Sequence, residues 1–287
     1  ASRSKIPEDM AFTSDLEAAV KGRDFIVLAV PSPFTRSTAR KMSPYIPEKQ
    51  IIVDVAKGIE EDTLMTLSQQ IEQEIPQADV AVLSGPSHAE EVGRGLPTSV
   101  VIGAKTKKTA EYLQNMFMNE VFRVYTSGHP GDGAGRFFKK CNRFGGRYCR
   151  WSWLWRQYKS SLITRGIAEI ARLGVKAGGK LESFTGLTGI GDLIVTCASV
   201  HSRNRKAGYL IGQGMSMQEA MDEVKMVVEG VYSTKAAVKM GEKYGVSLPI
   251  IGQVNQVLFE NKNPGEAVKD LMLREQQAGD LISDLEE

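Results

Sequence analysis

Four short polar clusters in this sequence carry side chains whose types and spacing could do chemistry. They are DVAKG at residues 54–58, SGPSHAEE at 84–91, GLTGIGDL at 186–193 and HSRNR at 201–205. A lysine after a strand can meet a phosphate or polarise a carbonyl, and a carboxylate such as Asp192 can accept hydrogen bonds from a diol. The consecutive hydroxyl, guanidinium and carboxamide groups of Ser202, Arg203 and Asn204 can converge on one phosphate.

Each cluster also has an explanation that needs no ligand. Lys57 is equally explained as a solvated turn lysine, and Ser87 with Glu90 three residues later matches a helix capping box. The HSRNR cluster is also compatible with an exposed basic turn. The glycines of GLTGIGDL follow no predicted strand, so they are not a dinucleotide fingerprint; tight helix packing that places Asp192 against a ligand explains them better.

The elements that must position these clusters change type along the chain. Apolar runs predict strands at 25–30, 50–55, 79–83, 98–102 and 122–125, with helices predicted among them at 15–21, 62–74 and 107–119. The first run is uninterrupted, which predicts a strand buried on both faces. From about residue 160 only helices are predicted, at 162–173, 217–224, 234–244, 251–260 and 264–273.

This order predicts an α/β Rossmann-like domain at residues 1–126, built on a parallel sheet, and an all-α domain at residues 127–287. A doubly wound nucleotide-binding half should open with a strand that runs into G-x-G-x-x-G, and the sequence has no such motif. We therefore expect that the first strand and the glycine-rich loop are missing from this chain. The residue that chooses between NAD and NADP would be missing with them.

Composition excludes several classes of protein. A net charge of +2 and 24% charged residues predict no nucleic-acid partner. No apolar run approaches the length of a membrane span, and the N-terminus has no apolar stretch typical of a signal peptide. The three cysteines have no metal-ligand spacing, so we expect no metal site and a reduced, cytoplasmic setting.

Five ordered segments resemble the bacterial-type NAD(P)-dependent glycerol-3-phosphate dehydrogenase family. They are LSGPSHAEEV (83–92), LITRGIAEIARLG (162–174), GLTGIGDLIVTC (186–197), HSRNRKAG (201–208) and MVVEGV (226–231). The resemblance implies hydride transfer between NAD(P)H and dihydroxyacetone phosphate, which gives sn-glycerol 3-phosphate, a phospholipid precursor. It also implies a small-molecule substrate and a homodimer.

The resemblance assigns roles residue by residue. The substrate would be bound by Lys57, Gly85, Ser87, Asp192, Ser202, Arg203 and Asn204. The cofactor would be contacted by Lys57, Ala89, Arg203, Val227 and Glu229. The family's general base is a lysine in an L-K-N motif near the start of the helical domain, which corresponds here to Lys139, with Lys140 as the alternative.

The sequence departs from the family around this lysine. Residues 128–158 hold all three tryptophans, two of the three cysteines and no helical or strand period, where the family has a helix rich in glycine and alanine. Codons TTC TTT AAA AAA TGT AAT CGC TTT would encode residues 137–144, and read one base later they encode S-L-K-N-V-I-A. We therefore hypothesise a reading-frame error; if the segment is real, its bulky side chains would overpack the helical domain.

Two other functions compete with this interpretation. A dehydrogenase of the same two-domain plan could act on a hydroxy acid of the ketopantoate or 6-phosphogluconate type, but those substrates call for polar sets other than S-R-N and GLTGIGDL. A non-catalytic sensor of sugar phosphates would suit the missing loop and the altered base segment. A decayed enzyme would also be expected to lose Asp192 and Arg203, and both are present.

The frame hypothesis predicts the outcome of resequencing the gene across residues 128–158. We expect the corrected reading frame of this segment to encode an L-K-N motif at the position of Lys139. An intact frame through Arg143 and Trp151 would contradict the hypothesis.

Overall fold

The computed structural model describes residues 6–127, 156–199, 202–225 and 227–274. The chain forms two compact units, one of residues 1–56 and 65–133 and the other of residues 57–64 and 134–287. The predicted boundary between residues 126 and 127 stays a prediction, because residues 128–155 lie outside the described residues.

The first unit is a five-stranded sheet with helices on both faces. Its strands, in sheet order, are β1 (Phe25–Leu28), β2 (Ile51–Asp54), β3 (Asp79–Ser84), β4 (Thr98–Gly103) and β5 (Phe122–Ser127). Its helices are α1 (Leu16–Val20), α2 (Thr35–Met42), α3 (Leu67–Glu74), α4 (Ala89–Val92) and α5 (Lys107–Phe117). The Rossmann-like α/β prediction is confirmed.

Neighbouring side chains along a strand point to opposite faces, so each strand serves two cores. Ile52 and Val80 pack with α1, α2 and α3 on one face, while Val53 and Ala81 pack with α5 on the other. These four side chains are at most 1% exposed. The sheet is therefore the middle layer of three.

The prediction of an entirely parallel sheet is wrong at one pair. Strands β1, β2 and β3 are parallel to one another and β4 is parallel to β5, but β4 runs antiparallel to β3. The connection between β3 and β4 contains only the single helical turn α4, whereas a parallel return usually needs a full crossover helix.

The prediction that the first strand is buried on both faces is also wrong. Leu28 is 4% exposed, but Val27 is 42% exposed on the other face. Strand β1 is the edge strand and pairs only with β2 among the described residues.

Two helices of this unit differ from the prediction for local reasons. Helix α3 begins at Leu67 rather than near residue 62, because Thr66 and Gln69 form a capping box that starts it. Helix α2 was not predicted, since its sequence TRSTARKM is mostly polar and only Thr35, Ala39 and Met42 face the core.

The second unit is helical, as predicted. After the gap its helices are α6 (Arg156–Lys176), α7 (Leu181–Thr185), α8 (Asp192–Ala198), α9 (Arg203–Gly212), α10 (Met217–Val224), α11 (Glu229–Tyr244), α12 (Pro249–Phe259) and α13 (Pro264–Met272). Helix α6 begins at Arg156, before the predicted start at residue 162 and within the segment 128–158 that showed no helical period. Segment 57–64 belongs to this unit, and its Ile59 and Leu64 pack on the core that contains Phe184.

Two glycines of this unit are required by packing around Phe184. A Cβ on Gly174 would overlap the Phe184 ring, and a Cβ on Gly189 would overlap the Phe184 carbonyl oxygen. Gly189 lies in a single π-helical turn, Leu187–Gly191, that follows α7. The expectation that the glycines of GLTGIGDL allow tight packing is therefore confirmed at Gly189.

Glu169 on α6 holds the start of α12. Its carboxylate accepts hydrogen bonds from the backbone N–H groups of Ile250, at 2.7 Å, and Ile251, at 3.2 Å. Glu169 is 2% exposed, and it lines a cavity of about 300 Å³ together with Arg172 and Arg274, among other residues. Burial raises the pKa of Glu169 to about 7, although both N–H donors and the two arginines act in the opposite direction.

This burial predicts a pH-dependent stability. The native pKa of Glu169 lies above the reference value of 4.5 that applies to an unfolded chain, so the native state keeps a proton that the unfolded state releases as pH rises. The contribution is present in full below pH 4.5 and is lost as pH rises through about 7. In denaturant titrations, the free energy of unfolding of the wild type relative to Glu169→Gln should fall over this interval by on the order of 3 kcal/mol.

Glu242→Gln makes the same chemical change at an exposed position of α11 and provides the control. A difference between wild type and Glu169→Gln that is constant from pH 4.5 to 8 would contradict the assignment.

Candidate active site

Lys57 and Asp192 form an ion pair in the helical unit. Lys57 Nζ donates to Asp192 Oδ2 at 2.9 Å across 135 residues of sequence. The Lys57 side chain is 18% exposed and that of Asp192 is 3% exposed, so the explanation of Lys57 as a solvated turn lysine is wrong. At this degree of burial each of the two charges needs a partner of opposite sign, because an unpaired buried charge is costly.

The local fold places Asp192 with little freedom. The π-helical turn Leu187–Gly191 leads directly into α8, of which Asp192 is the first residue. Within the turn, the Thr188 hydroxyl donates to the Ser183 carbonyl at 2.7 Å. A carboxylate in the first turn of a helix also interacts favourably with the helix dipole.

Thr196 is a candidate that the sequence analysis missed. It lies one helical turn after Asp192 in α8, so the two side chains share a helix face. Thr196 is 1% exposed, and its Oγ1 has no hydrogen-bond partner within the described part of the chain. Since a buried hydroxyl without a partner is costly, this one suggests a contact with a ligand or water. A threonine four residues after Asp192 was the available signal.

Residues 202–205 of the HSRNR cluster form the start of α9 rather than an exposed turn, and His201 lies outside the described residues. Ser202 is the N-cap residue, and its hydroxyl accepts from the N–H of Arg205 at 3.2 Å. Ser202 is 4% exposed and Asn204 is 5% exposed, whereas Arg203 faces solvent. The helix therefore presents N–H groups, a guanidinium and a carboxamide at one end, a combination suited to an anion.

The two donors of the Asn204 carboxamide are available because its oxygen is engaged elsewhere. Oδ1 accepts from the backbone N–H of Gly230 at 3.1 Å, and only the oxygen of a carboxamide can accept. This fixes the orientation of the amide. No described residue accepts a hydrogen bond from Nδ2 of Asn204, although the residue is 95% buried.

Predicted substrate and cofactor residues meet at this point. Arg203 Nη1 donates to the carbonyl of Val227 at 3.3 Å, and Glu229 is the first residue of α11. Val227 is 37% exposed. The structure thus joins the Ser202–Arg203–Asn204 segment to the Val227–Glu229 segment, about two dozen positions later in the chain.

The remaining predicted contacts lie in the first unit, after β3. The N-cap residue of α4 is His88, and the Ser87 hydroxyl donates to the Gly85 carbonyl at 3.4 Å, so the capping box of Ser87 and Glu90 is wrong. A Cβ on Gly85 would lie 2.8 Å from the Ser99 carbonyl oxygen on β4, so packing within the sheet already requires this glycine.

Two further residues lie at or shortly after the carboxyl end of β3. Ala89 is exposed at the start of α4, and Ser84, the last residue of β3, is 2% exposed. Within the described residues the Ser84 hydroxyl has no hydrogen-bond partner. Lys139, the predicted base, and its alternative Lys140 lie outside the described residues.

Sequence profiles of a known family match both units. The profile of the NAD-dependent glycerol-3-phosphate dehydrogenase N-terminus matches residues 1–110, and that of the C-terminus matches residues 152–269. Residues 111–151, which include most of the unusual segment, lie between the two matches.

Individual relatives agree with the profiles. The chain is 60% identical over 274 residues to a glycerol-3-phosphate dehydrogenase (NAD(P)+) of Agathobacter rectalis, and 52% identical over 275 residues to that of Fusobacterium nucleatum. Each alignment covers 95% of this chain and 82% of the relative. The crystal structure of glycerol-3-phosphate dehydrogenase from Coxiella burnetii superposes with a TM-score of 0.90 at 31% identity, over 95% of this chain and 84% of that one. With both profiles and these relatives in agreement, the chain belongs to the NAD-dependent glycerol-3-phosphate dehydrogenase family.

Proposed function

We propose that this chain reduces dihydroxyacetone phosphate to sn-glycerol 3-phosphate with NAD(P)H and catalyses the reverse reaction. The observation that carries the proposal is the pair of polar groupings in the helical unit. One is the start of α9, whose donor groups suit an anion, and the other is the Lys57–Asp192 ion pair. A molecule with a phosphate at one end and a carbonyl and hydroxyl at the other needs both kinds of site.

The phosphate is proposed to bind at the start of α9. This helix has ten residues, and its first turn combines backbone N–H groups with the exposed guanidinium of Arg203. Nδ2 of Asn204, which donates to no described residue, adds two directed donors. A guanidinium and a carboxamide together can contact several phosphate oxygens at once.

The carbon atoms that react are proposed to lie at the ion pair. Reduction adds hydride to the carbonyl carbon and places negative charge on its oxygen, which the ammonium of Lys57 stabilises. The Asp192 carboxylate accepts a hydrogen bond from a substrate hydroxyl, and the Thr196 hydroxyl provides a further contact. Lys139 remains the proposed group that donates a proton to the oxygen in this direction and removes it in the reverse.

The residues present fit the cofactor NAD(P). The buried Ser84 hydroxyl, without a partner among the described residues, lies at the carboxyl end of β3, the end of a strand where α/β sheets bind ligands. Ala89 adds only a methyl group there, and Val227 and Glu229 mark the start of α11. When bound, the nicotinamide supplies or accepts the hydride. The roles of Gly85, Ser87 and Ala89 stay predictions.

The cellular setting is part of the same proposal. We propose a cytoplasmic homodimer that supplies a phospholipid precursor. Cys197 is buried and forms no disulfide with a described residue, which is consistent with a reducing compartment. None of the described helices combines the length and the apolar character of a membrane span.

The proposed activity is tested by following nicotinamide absorbance with purified protein. We expect oxidation of NADH or NADPH with dihydroxyacetone phosphate and none with 2-dehydropantoate, the substrate that the hydroxy-acid alternative requires. Tight binding of dihydroxyacetone phosphate without turnover would support the sensor alternative, and the absence of both binding and turnover would overturn the proposal.

The phosphate site is tested by Arg203→Ala. Loss of a charge-assisted hydrogen bond costs about 1.5–3 kcal/mol, so KM for dihydroxyacetone phosphate should rise roughly ten- to a hundredfold. Lys206→Ala removes the same charge from an exposed position of the same helix and should leave KM nearly unchanged. Equal KM values for Arg203→Ala and the wild type would refute this role for Arg203.

A further inference from the structure

We propose that Asn204 is a positioning residue for the cofactor segment as well as a ligand of the substrate phosphate, so that each ligand strengthens binding of the other. The cofactor segment is residues 227–230, which contain the predicted cofactor contacts Val227 and Glu229. This inference rests on the proposed function, since it assumes the phosphate site at α9 and the cofactor contacts at α11.

Helix α11 has no side-chain cap of its own for the backbone N–H groups of its first turn. The first N–H groups of any helix lack partners within that helix. The N-cap residue of α11 is Val228, which has no side-chain acceptor, and the structure shows no cap hydrogen bond from it. Asn204, on α9, provides the missing acceptor to the N–H of Gly230 at 3.1 Å. An asparagine 26 positions earlier in the chain thus replaces the N-cap side chain.

Gly230 is held from both sides. Its N–H donates to Asn204, and its carbonyl accepts from the Thr234 hydroxyl at 2.8 Å. Gly230 is buried, and Thr234 has no exposed surface. A second tie joins the same two helices, because the Arg203 guanidinium donates to the carbonyl of Val227 at 3.3 Å. The cofactor segment is therefore attached at both ends to the two residues proposed to bind phosphate.

The phosphate and the cofactor segment contact different atoms of the Asn204 carboxamide. With Oδ1 directed at Gly230, Nδ2 is the group that can bind a phosphate oxygen. A phosphate on Nδ2 restricts the Asn204 side chain to the rotamer that also holds Gly230. A phosphate on the Arg203 guanidinium restrains the bond to Val227 in the same way. Phosphate binding should therefore order the cofactor segment, and linkage requires the cofactor to favour phosphate equally.

Two substitutions of Asn204 separate the role of its oxygen from that of its Nδ2 donors. Asn204→Asp keeps an oxygen for the N–H of Gly230 but replaces the Nδ2 donors with negative charge. Asn204→Ala removes both. Asn263→Ala is the matched control, since Asn263 also caps a helix with its side-chain oxygen, accepting from the N–H of Gly265 at the start of α13.

The experiment is amide hydrogen exchange of the 227–233 region with inorganic phosphate as the probe and chloride at equal ionic strength as the reference. In chloride, exchange at Gly230 should be faster in Asn204→Ala than in the wild type, and near the wild-type rate in Asn204→Asp and Asn263→Ala. Phosphate should slow exchange at Gly230, the residue that Asn204 holds, in the wild type and in Asn263→Ala but in neither Asn204 variant. The dissociation constant of NADPH should fall on the order of fivefold when phosphate saturates the wild type.

The outcomes distinguish the inference from the proposed function. If phosphate binds, as measured by calorimetry, but leaves exchange at 227–230 and the NADPH dissociation constant unchanged, the coupling is overturned and the phosphate site stands. If phosphate and substrate both fail to bind the wild type, the phosphate site itself is wrong and the coupling falls with it. Should Asn204→Ala fail to fold by circular dichroism, Asn204→Asp and the wild-type titration decide the question.

Discussion

The helical unit depends on finding acceptors for the first-turn N–H groups of α11 and α12. The N-cap residues of these helices, Val228 and Leu248, have hydrocarbon side chains and make no cap hydrogen bond. Buried N–H groups without partners are costly, so acceptors must come from other helices. Asn204 on α9 serves α11, and Glu169 on α6 serves α12.

This solution ties structure to chemistry, because a side chain that holds a helix cannot move independently of it. The Asn204 oxygen fixes both the start of α11 and the direction of its own Nδ2 donors. The Glu169 carboxylate is buried among groups that lower its pKa, yet desolvation outweighs them. The position of Asp192 is likewise fixed by packing. The π-helical turn that precedes it is packed so closely that Gly189 has no room for a Cβ.

Much of the architecture could be predicted from local patterns. The predicted bounds of α10 agree with the structure, since Ser216 and Glu219 form a capping box at its start. Local sequence patterns failed where the surroundings of an element, rather than its residue types, determine its structure. Helix α2 is too polar to show a helical period, although Ala39 and Met42 pack on the core. The direction of β4 depended on the short α4 connection, which residue types alone do not encode.

By itself, the sequence determined the order of α/β and helical parts, the residue types available for chemistry and, through five ordered segments, membership of the family. These follow from local periodicity and from motifs read within a few residues. Only the tertiary structure decided that Lys57 is paired with Asp192, that Asn204 holds Gly230 and that Thr196 carries a buried hydroxyl without a described partner. These facts join residues far apart in the chain or depend on burial, and burial is a property of the packed molecule rather than of any segment.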